Sequence, residues 1–492
     1  MPSKYTDATL PEVDAAMSAS FAAFQQYKRL TLKERATFLK TIAHSLSIKE
    51  NDLVAIAHQE THLEEARLKL ELKRTIFQLT SYAEACEEGT WLDIRIDNLP
   101  GKPDLRKMLI PLGPVVVFGA SNFPFAYSTA GGDTACALAA GCPAVLKAHP
   151  AHAGTSELVA QAVKEAAKQC ALPEAIFTHL HGAAFEVGKA LVEHPLTKAV
   201  GFTGSTDGGR ALFDLANARP VPIPVFAEMG SVNPVFLLTQ KLQQETESIA
   251  KMYAKSITQS AGQFCTNPGI LVGIKSTALN EFKRILGGEM AIVPPMQMLH
   301  PGIAKNFQHK RADALDVKGV SIAGVVGCPV AADESIPTLA QVDADVFLKN
   351  PLLHQEVFGP FSLLVQCNDE DQMLQVAQSL EGQLTCTLMA TENEAKQHEQ
   401  LMDILKESCG RFILNNVPTG VEVCLSMHHG GPYPATTDSR FTAVGADGIR
   451  RFARPVCYQN WSNDLLPQEL KNDNPLHLWR TINNTLTRNA LP

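Results

Sequence analysis

The chain has 492 residues, 45% of them hydrophobic and 19% charged, with a formal net charge of -8. That length can bury large cores and suggests about three domains, and the composition is that of a globular rather than a disordered protein. The negative balance argues against nucleic acid or an anionic membrane as the main partner, and the most apolar stretch, residues 135–146, is broken by Gly141 and Pro143 and too short to span a bilayer. The polar opening Met1-Pro-Ser-Lys-Tyr-Thr-Asp7 leads straight into an amphipathic pattern, so no secretory leader is visible. Eleven cysteines without C-x-x-C pairs fit a reducing, cytoplasmic setting, and no metal site is expected.

In chain order, Phe21, Phe24 and Tyr27, then Phe38, Leu39, Ile42 and Leu46, recur at helical spacing. Thr31 and Glu34 read as a capping box opening the second of these helices. A third helical stretch covers 64–87. Residues 94–110, with Asn98, Pro100, Gly101 and Pro103 between apolar flanks, predict a hairpin or crossing segment. From Pro114 short apolar runs (115–118, 143–147, 175–178, 199–202) alternate with helices, including 128–140 and 155–168. Buried strands separated by helices indicate a parallel sheet covered on both faces, a dinucleotide-type domain in outline. A second alternating region has strands at 233–238, 269–274, 361–365 and 384–389, with a long helix leading to Cys265. Residues 287–342 are poorly periodic, and the tail after Pro455 has no core pattern of its own and is expected to pack on a neighbour.

Several residues stand where chemistry could use them. Cys265 lies in polar, small-residue surroundings, unlike a structural cysteine packed among Leu, Val and Ile. Glu228 sits in an apolar run, where burial would raise its pKa toward that of a general base. Asn122 follows a strand and could donate to an oxyanion, and Lys147 ends a strand facing a crevice. The turn Phe202-Thr-Gly204-Ser205-Thr-Asp-Gly-Gly209 lets backbone approach a phosphate at a helix N-terminus. Each alone has a bland reading: a solvated lysine, a backbone-satisfying asparagine, an ordinary glycine turn.

Taken in order, Asn122-Phe-Pro, Lys147, Phe-Thr-Gly204-Ser205, Glu228-Met-Gly, Gly262-Gln-Phe-Cys265-Thr and Glu356-Val-Phe358-Gly-Pro360 resemble the NAD(P)-dependent aldehyde dehydrogenase superfamily from about Glu12 onward. Phe118-Gly-Ala-Ser-Asn-Phe-Pro and His429-Gly-Gly-Pro-Tyr-Pro-Ala-Thr-Thr-Asp438 are similar to the branch of α-ketoglutarate semialdehyde (2,5-dioxopentanoate) dehydrogenases and the NADP-linked fatty aldehyde dehydrogenase of luminous bacteria. The resemblance implies an α/β fold with a Rossmann-type cofactor domain (1–93 and 111–231), an α/β catalytic domain (232–435) and oligomerisation segments (94–110 and 436–492). It implies Cys265 as nucleophile, Glu228 as the base for water and Asn122 as oxyanion donor. The implied cofactor contacts are Ala120, Ser121, Lys147, His149, Pro150, Gly204, Ser205, Gly209, Glu356 and Phe358.

NAD-preferring members often carry an acid three positions after the lysine; here Pro150 stands there, so NADP+ is expected, with NAD+ the alternative. The Glu-Leu-Gly-Gly context common at the glutamate is Glu228-Met-Gly-Ser231 here. The expected substrate is α-ketoglutarate semialdehyde, its carboxylate met by Arg440; a medium- or long-chain aldehyde in a funnel of Phe123, Phe264 and Val421 is the alternative. A cofactor-independent cysteine hydrolase would need a histidine beside the thiol, and nothing in the sequence places His428 or His429 there. A homodimer is expected.

Overall fold

The structure is a computed structural model that describes residues 5–491; residues 1–4 of the polar opening lie outside the described residues. Capping boxes start the first two helices, Thr9 with Glu12 before Leu10–Tyr27 and Thr31 with Glu34 before Leu32–Ile48. Each box satisfies backbone N–H groups that a helix start leaves without partners. With helices Glu50–Thr61 and Glu65–Glu88, they bury Phe38, Leu39, Leu72 and Tyr82 in one core with the helices Gly132–Ala140 and Ala153–Gln169.

That core covers one face of a five-stranded parallel sheet. Its order is Phe177–Leu180, Ala144–Lys147, Val115–Phe118, Ala199–Thr203, Val225–Glu228. The chain direction of growth reverses between Val115–Phe118 and Ala199–Thr203, and open sheets bind ligands at the carboxyl ends of strands beside such a switch. Lys147 and Glu228 are the last residues of their strands.

A second sheet has seven strands in the order Ser321–Val325, Thr338–Asp343, Phe361–Cys367, Ile270–Ile274, Val235–Leu237, Gln383–Met389, Cys409–Leu414. Only the first pair is antiparallel. A third sheet joins Ala453–Gln459, Leu105–Pro111, Arg95–Asp97, Arg480–Ile482 and Thr485–Thr487.

The structure departs from the sequence reading in four places. The helix expected over 128–140 starts at Gly132, because residues 123–131 are spent on turns whose carbonyls bond the Gly131 and Gly132 amides. The strand expected at 175–178 runs Phe177–Leu180 after a turn of 3₁₀ helix. The aperiodic region holds a helix, Pro301–Asp316, and two strands of the second sheet. The tail is not patternless: Ala453–Gln459 pairs along the whole of Leu105–Pro111, within this chain. Its strands are short and half exposed, so no alternation announces them. No helix among the described residues is long and apolar enough to cross a membrane.

Candidate active site

Cys265 follows the long helix Thr239–Thr258 and a tight turn at Gln259–Gly262. The turn forces positive φ at Ser260, Ala261 and Gly262, a region that costs most residues energy. At Gly262 a Cβ would lie 2.3 Å from the backbone of Gly359, so only glycine lets this turn press on the loop carrying Glu356 and Phe358. Asn267 Nδ2 donates to Gly359 O at 3.0 Å, locking the two loops. Buried Asn233 holds the far side, donating Nδ2 to Cys265 O (2.8 Å) and Asn267 O (2.9 Å).

Asn122 is buried beside the nucleophile loop, its Nδ2 donating to Gln263 O at 3.2 Å. Glu228 is wholly buried at its strand end. Its Oε1 is 3.0 Å from His429 Nε2, with side-chain exposures of 3% and 2%. Neither Glu228 oxygen receives a well-aligned hydrogen bond, although His429 and the Cys265 thiol stand close enough to act on the carboxylate. The same His429 nitrogen is 3.8 Å from Cys265 Sγ. The histidine thus stands between thiol and carboxylate, contrary to the expectation that nothing brings one there.

What delivers it is the segment after Gly430, which threads between the two large sheets. A Cβ at Gly431 would lie 2.1 Å from Gln383 O. The segment then runs antiparallel to the Glu228 strand, with Met229 N donating to Ala435 O and Thr437 N to Ala227 O. Thr442 Oγ1 accepts from His429 N at 2.9 Å and fixes its backbone.

The electrostatics follow from this burial. Desolvation pushes the Glu228 carboxyl up, but His429, the Cys265 thiol and Arg451 together hold it below the ordinary carboxylate range. This corrects the expectation of a raised value, which reckoned burial without the histidine. Burial and the neighbouring Glu228 and Glu356 charges push the Cys265 thiol well above its usual value, with Arg411 opposing. At neutral pH the thiol is therefore protonated until a base removes its proton.

The mouth is aromatic. The rings of Phe123 and Phe264 lie 5.5 Å apart, and the Arg67 guanidinium sits 5.1 and 5.0 Å from them. Arg67 donates one N–H to Asn122 O at 2.9 Å, while its buried Nη1 has no protein partner. Val421 is on the same side, its carbonyl accepting from Arg74. Arg440 is not there: its side chain is 79% exposed and paired with Asp438 two residues earlier, so its assignment to the substrate is withdrawn.

The crevice of the first sheet gathers the other residues. Ala120 and Ser121 follow the Val115–Phe118 strand, and Ala120 O accepts from His152 Nε2 at 2.7 Å. His149 caps the turn begun by Pro150, accepting from Ala151 N. Burial lowers the Lys147 pKa, with Asp7 opposing. Ser205 caps the helix Thr206–Asn217, and a Cβ at Gly209 would lie 2.6 Å from Met229, so glycine brings that helix onto the strand end. Burial pushes Glu356 up to about 7, against the Ser231 amide and Lys310, and Phe358 follows on the same loop. A lysine at a strand end, a helix start with glycines at 208 and 209 and the Glu356 carboxyl, suited to ribose hydroxyls, fit a dinucleotide.

The profile of the aldehyde dehydrogenase family matches residues 2–435. The chain is 46% identical to the alpha-ketoglutaric semialdehyde dehydrogenase of Acinetobacter baylyi over 99% of its length and 93% of that protein. It is 44% identical to alpha-ketoglutaric semialdehyde dehydrogenase 2 of Azospirillum brasilense, over 95% and 90%. Its fold matches a betaine aldehyde dehydrogenase of Staphylococcus aureus (TM-score 0.79, 17% identity, 92% and 89% covered). It also matches a glyceraldehyde-3-phosphate dehydrogenase of Methanocaldococcus jannaschii complexed with NADP (TM-score 0.79, 19% identity, 93% and 95% covered). A cysteine, a buried glutamate and a dinucleotide crevice on such a fold have one common reading: the chain belongs to the aldehyde dehydrogenase family and oxidises an aldehyde with NAD(P)+.

Proposed function

We propose that the substrate is α-ketoglutarate semialdehyde, oxidised to 2-oxoglutarate. The observation that carries this reading is Arg67: a buried guanidinium with an uncommitted Nη1, wedged between the two rings beside Cys265. A short dicarbonyl acid has a carboxylate for that donor, and a charged hydrogen bond in such a place contributes about 1.5–3 kcal/mol. A fatty aldehyde has nothing to offer it. The two relatives above carry the name of this substrate.

In this reading Glu228, with His429 against it, takes the proton from the Cys265 thiol as sulfur adds to the aldehyde carbon, giving a thiohemiacetal, and releases that proton to solvent before the later step needs the carboxylate again. Asn122 Nδ2 and the Cys265 N–H hold the oxyanion. Bound NAD(P)+ supplies a hydride acceptor. The resulting thioester is cleaved by water that Glu228 deprotonates, and covalent catalysis divides one hard oxidation into two easier steps. Lys147 and Glu356 would hold the two riboses, the Gly204–Gly209 turn and Ser205 the pyrophosphate side and Phe358 the nicotinamide end, with Ala120, Ser121, His149 and Pro150 lining the crevice.

NADP+ is the proposed cofactor. Lys147 ends its strand with Pro150 rather than an acid three residues on. Asp7, the carboxylate acting on it among the described residues, is occupied by the amides of Ala183 and Ala184 at 2.7 and 2.8 Å. The active form is proposed to be a homodimer whose seam uses the exposed edges of the third sheet and of Cys409–Leu414, where Phe412 and Leu414 face outward.

The test is a comparison of kcat/KM for α-ketoglutarate semialdehyde and for hexanal with each dinucleotide. The reading requires the semialdehyde with NADP+ to be preferred; preference for hexanal removes the substrate, and no turnover with NADP+ removes the cofactor.

A further inference from the structure

Far from Cys265, at the other edge of the first sheet, three side chains converge for which the oxidation has no use. His179 and His181 are two apart at the end of the edge strand Phe177–Leu180 and so share a face. Glu157, in the first turns of helix Ala153–Gln169, reaches them from above. Its Oε2 is 3.3 Å from His179 Nδ1 and 3.1 Å from His181 Nε2, and the three ligand atoms all lie within 4.8 Å of one another. Ligand atoms at about 2.0–2.1 Å from a tetrahedral ion are separated by about 3.3 Å, so the two measured edges already match those of a coordination polyhedron.

The surroundings orient these atoms. His179 Nε2 bonds Ser156 Oγ at 2.8 Å, and Ser156 Oγ bonds Thr129 Oγ1 at 2.6 Å. With Nε2 carrying the proton, the Nδ1 lone pair points into the cluster, as outer-shell partners arrange for metal-bound imidazoles. Gln161 Nε2 donates to Glu157 Oε1 at 3.3 Å, leaving Oε2 as the ligand atom. Tyr5 stacks on His181 with ring centroids 4.3 Å apart, and Ala8 N donates to His181 O, so the N-terminal segment braces the second ring. His179 is 2% exposed, His181 18% and Glu157 33%, so the cluster is closed on the protein side and open to water on the other.

We propose that Glu157, His179 and His181 form a binding site for a divalent transition metal of the zinc class, with the remaining position taken by water. Two imidazoles and one carboxylate select borderline ions such as Zn2+, Co2+ or Ni2+ over Mg2+ or Ca2+. A bound ion clips the strand edge to the helix above it. Leu180, between the two histidines, pairs with Lys147, so the clip lies beside the cofactor crevice.

The test uses full-length Cys265→Ala protein as host, which takes the thiol out of the second group of possible ligands, Glu228, Cys265 and His429. Co2+ titration, followed by visible absorption, should show one equivalent bound with the bands of a nitrogen–oxygen site, displaced by Zn2+. Adding His181→Ala should weaken Co2+ binding by at least about 100-fold. Glu157→Gln, nearly isosteric, should do the same and guards against a folding defect, which circular dichroism reports. Removing the exposed His309 should change nothing. Absence of Co2+ binding in the host, or binding that survives both His181→Ala and Glu157→Gln, overturns the proposal.

Discussion

The first sheet carries a carboxylate–histidine cluster at each edge, and the two differ in exposure. At the Val225–Glu228 edge, Glu228 and His429 are sealed in with a thiol. At the Phe177–Leu180 edge, Glu157 is one-third exposed and its histidines are braced by hydroxyls and a tyrosine ring. Water excluded from the first cluster makes charge expensive there, so the thiol stays protonated and the carboxylate depends on its histidine. Water admitted to the second lets an ion and its hydration shell come and go. In the proposed reading the same side-chain types serve proton transfer in one place and coordination in the other, and burial separates the two uses.

The largest expected effect that sharpens this contrast is Cys265→Ala, which should lower kcat by about 10⁵–10⁶ with cofactor affinity intact by fluorescence titration. Residual turnover within tenfold of wild type would end the comparison. Next, His429→Gln should cost about 10²–10⁴ in kcat, the range of general acid–base catalysis. With the histidine gone, the desolvation of Glu228 is opposed only by the Cys265 thiol and Arg451 and its pKa rises. The acid limb of the kcat–pH profile should therefore move to higher pH; an unmoved limb would show that His429 does not hold the carboxylate down. Arg67→Met should reduce kcat/KM for the semialdehyde by about 10–100-fold and leave hexanal nearly unchanged; equal losses on both would mean that Arg67 only supports Asn122. Smallest is Asn233→Ala, which strands the carbonyls of Cys265 and Asn267. It should lower stability by about 1–3 kcal/mol in urea unfolding and kcat by a few-fold.

Much of the first cluster was legible because its members sit at strand ends or in glycine-bounded turns, and chain order brought Asn122, Lys147, Glu228 and Cys265 into one recognisable series. His429 stands within a recognisable motif, but nothing in the sequence sets it beside the thiol. It is 164 residues from Cys265, and only the close approach of Gly431 to Gln383 O brings it in, a contact that no periodicity reports. Arg67 was hidden because its burial depends on Phe123 and Phe264 arriving from other segments of the chain. Arg440 misled for the opposite reason: a cation near a motif looked available, but Asp438 captures it locally. The third sheet escaped because three of its strands are three residues long, too short for alternation to register.

The central claim is that Glu228 deprotonates the water that frees the product from Cys265. Intact-mass spectrometry of Glu228→Gln, quenched after mixing with NADP+ and α-ketoglutarate semialdehyde, tests it most directly. The account predicts one acyl group retained on Cys265, one equivalent of NADPH and then almost no further turnover. Sustained turnover at the wild-type rate, or NADPH formed with no mass on Cys265, would contradict it.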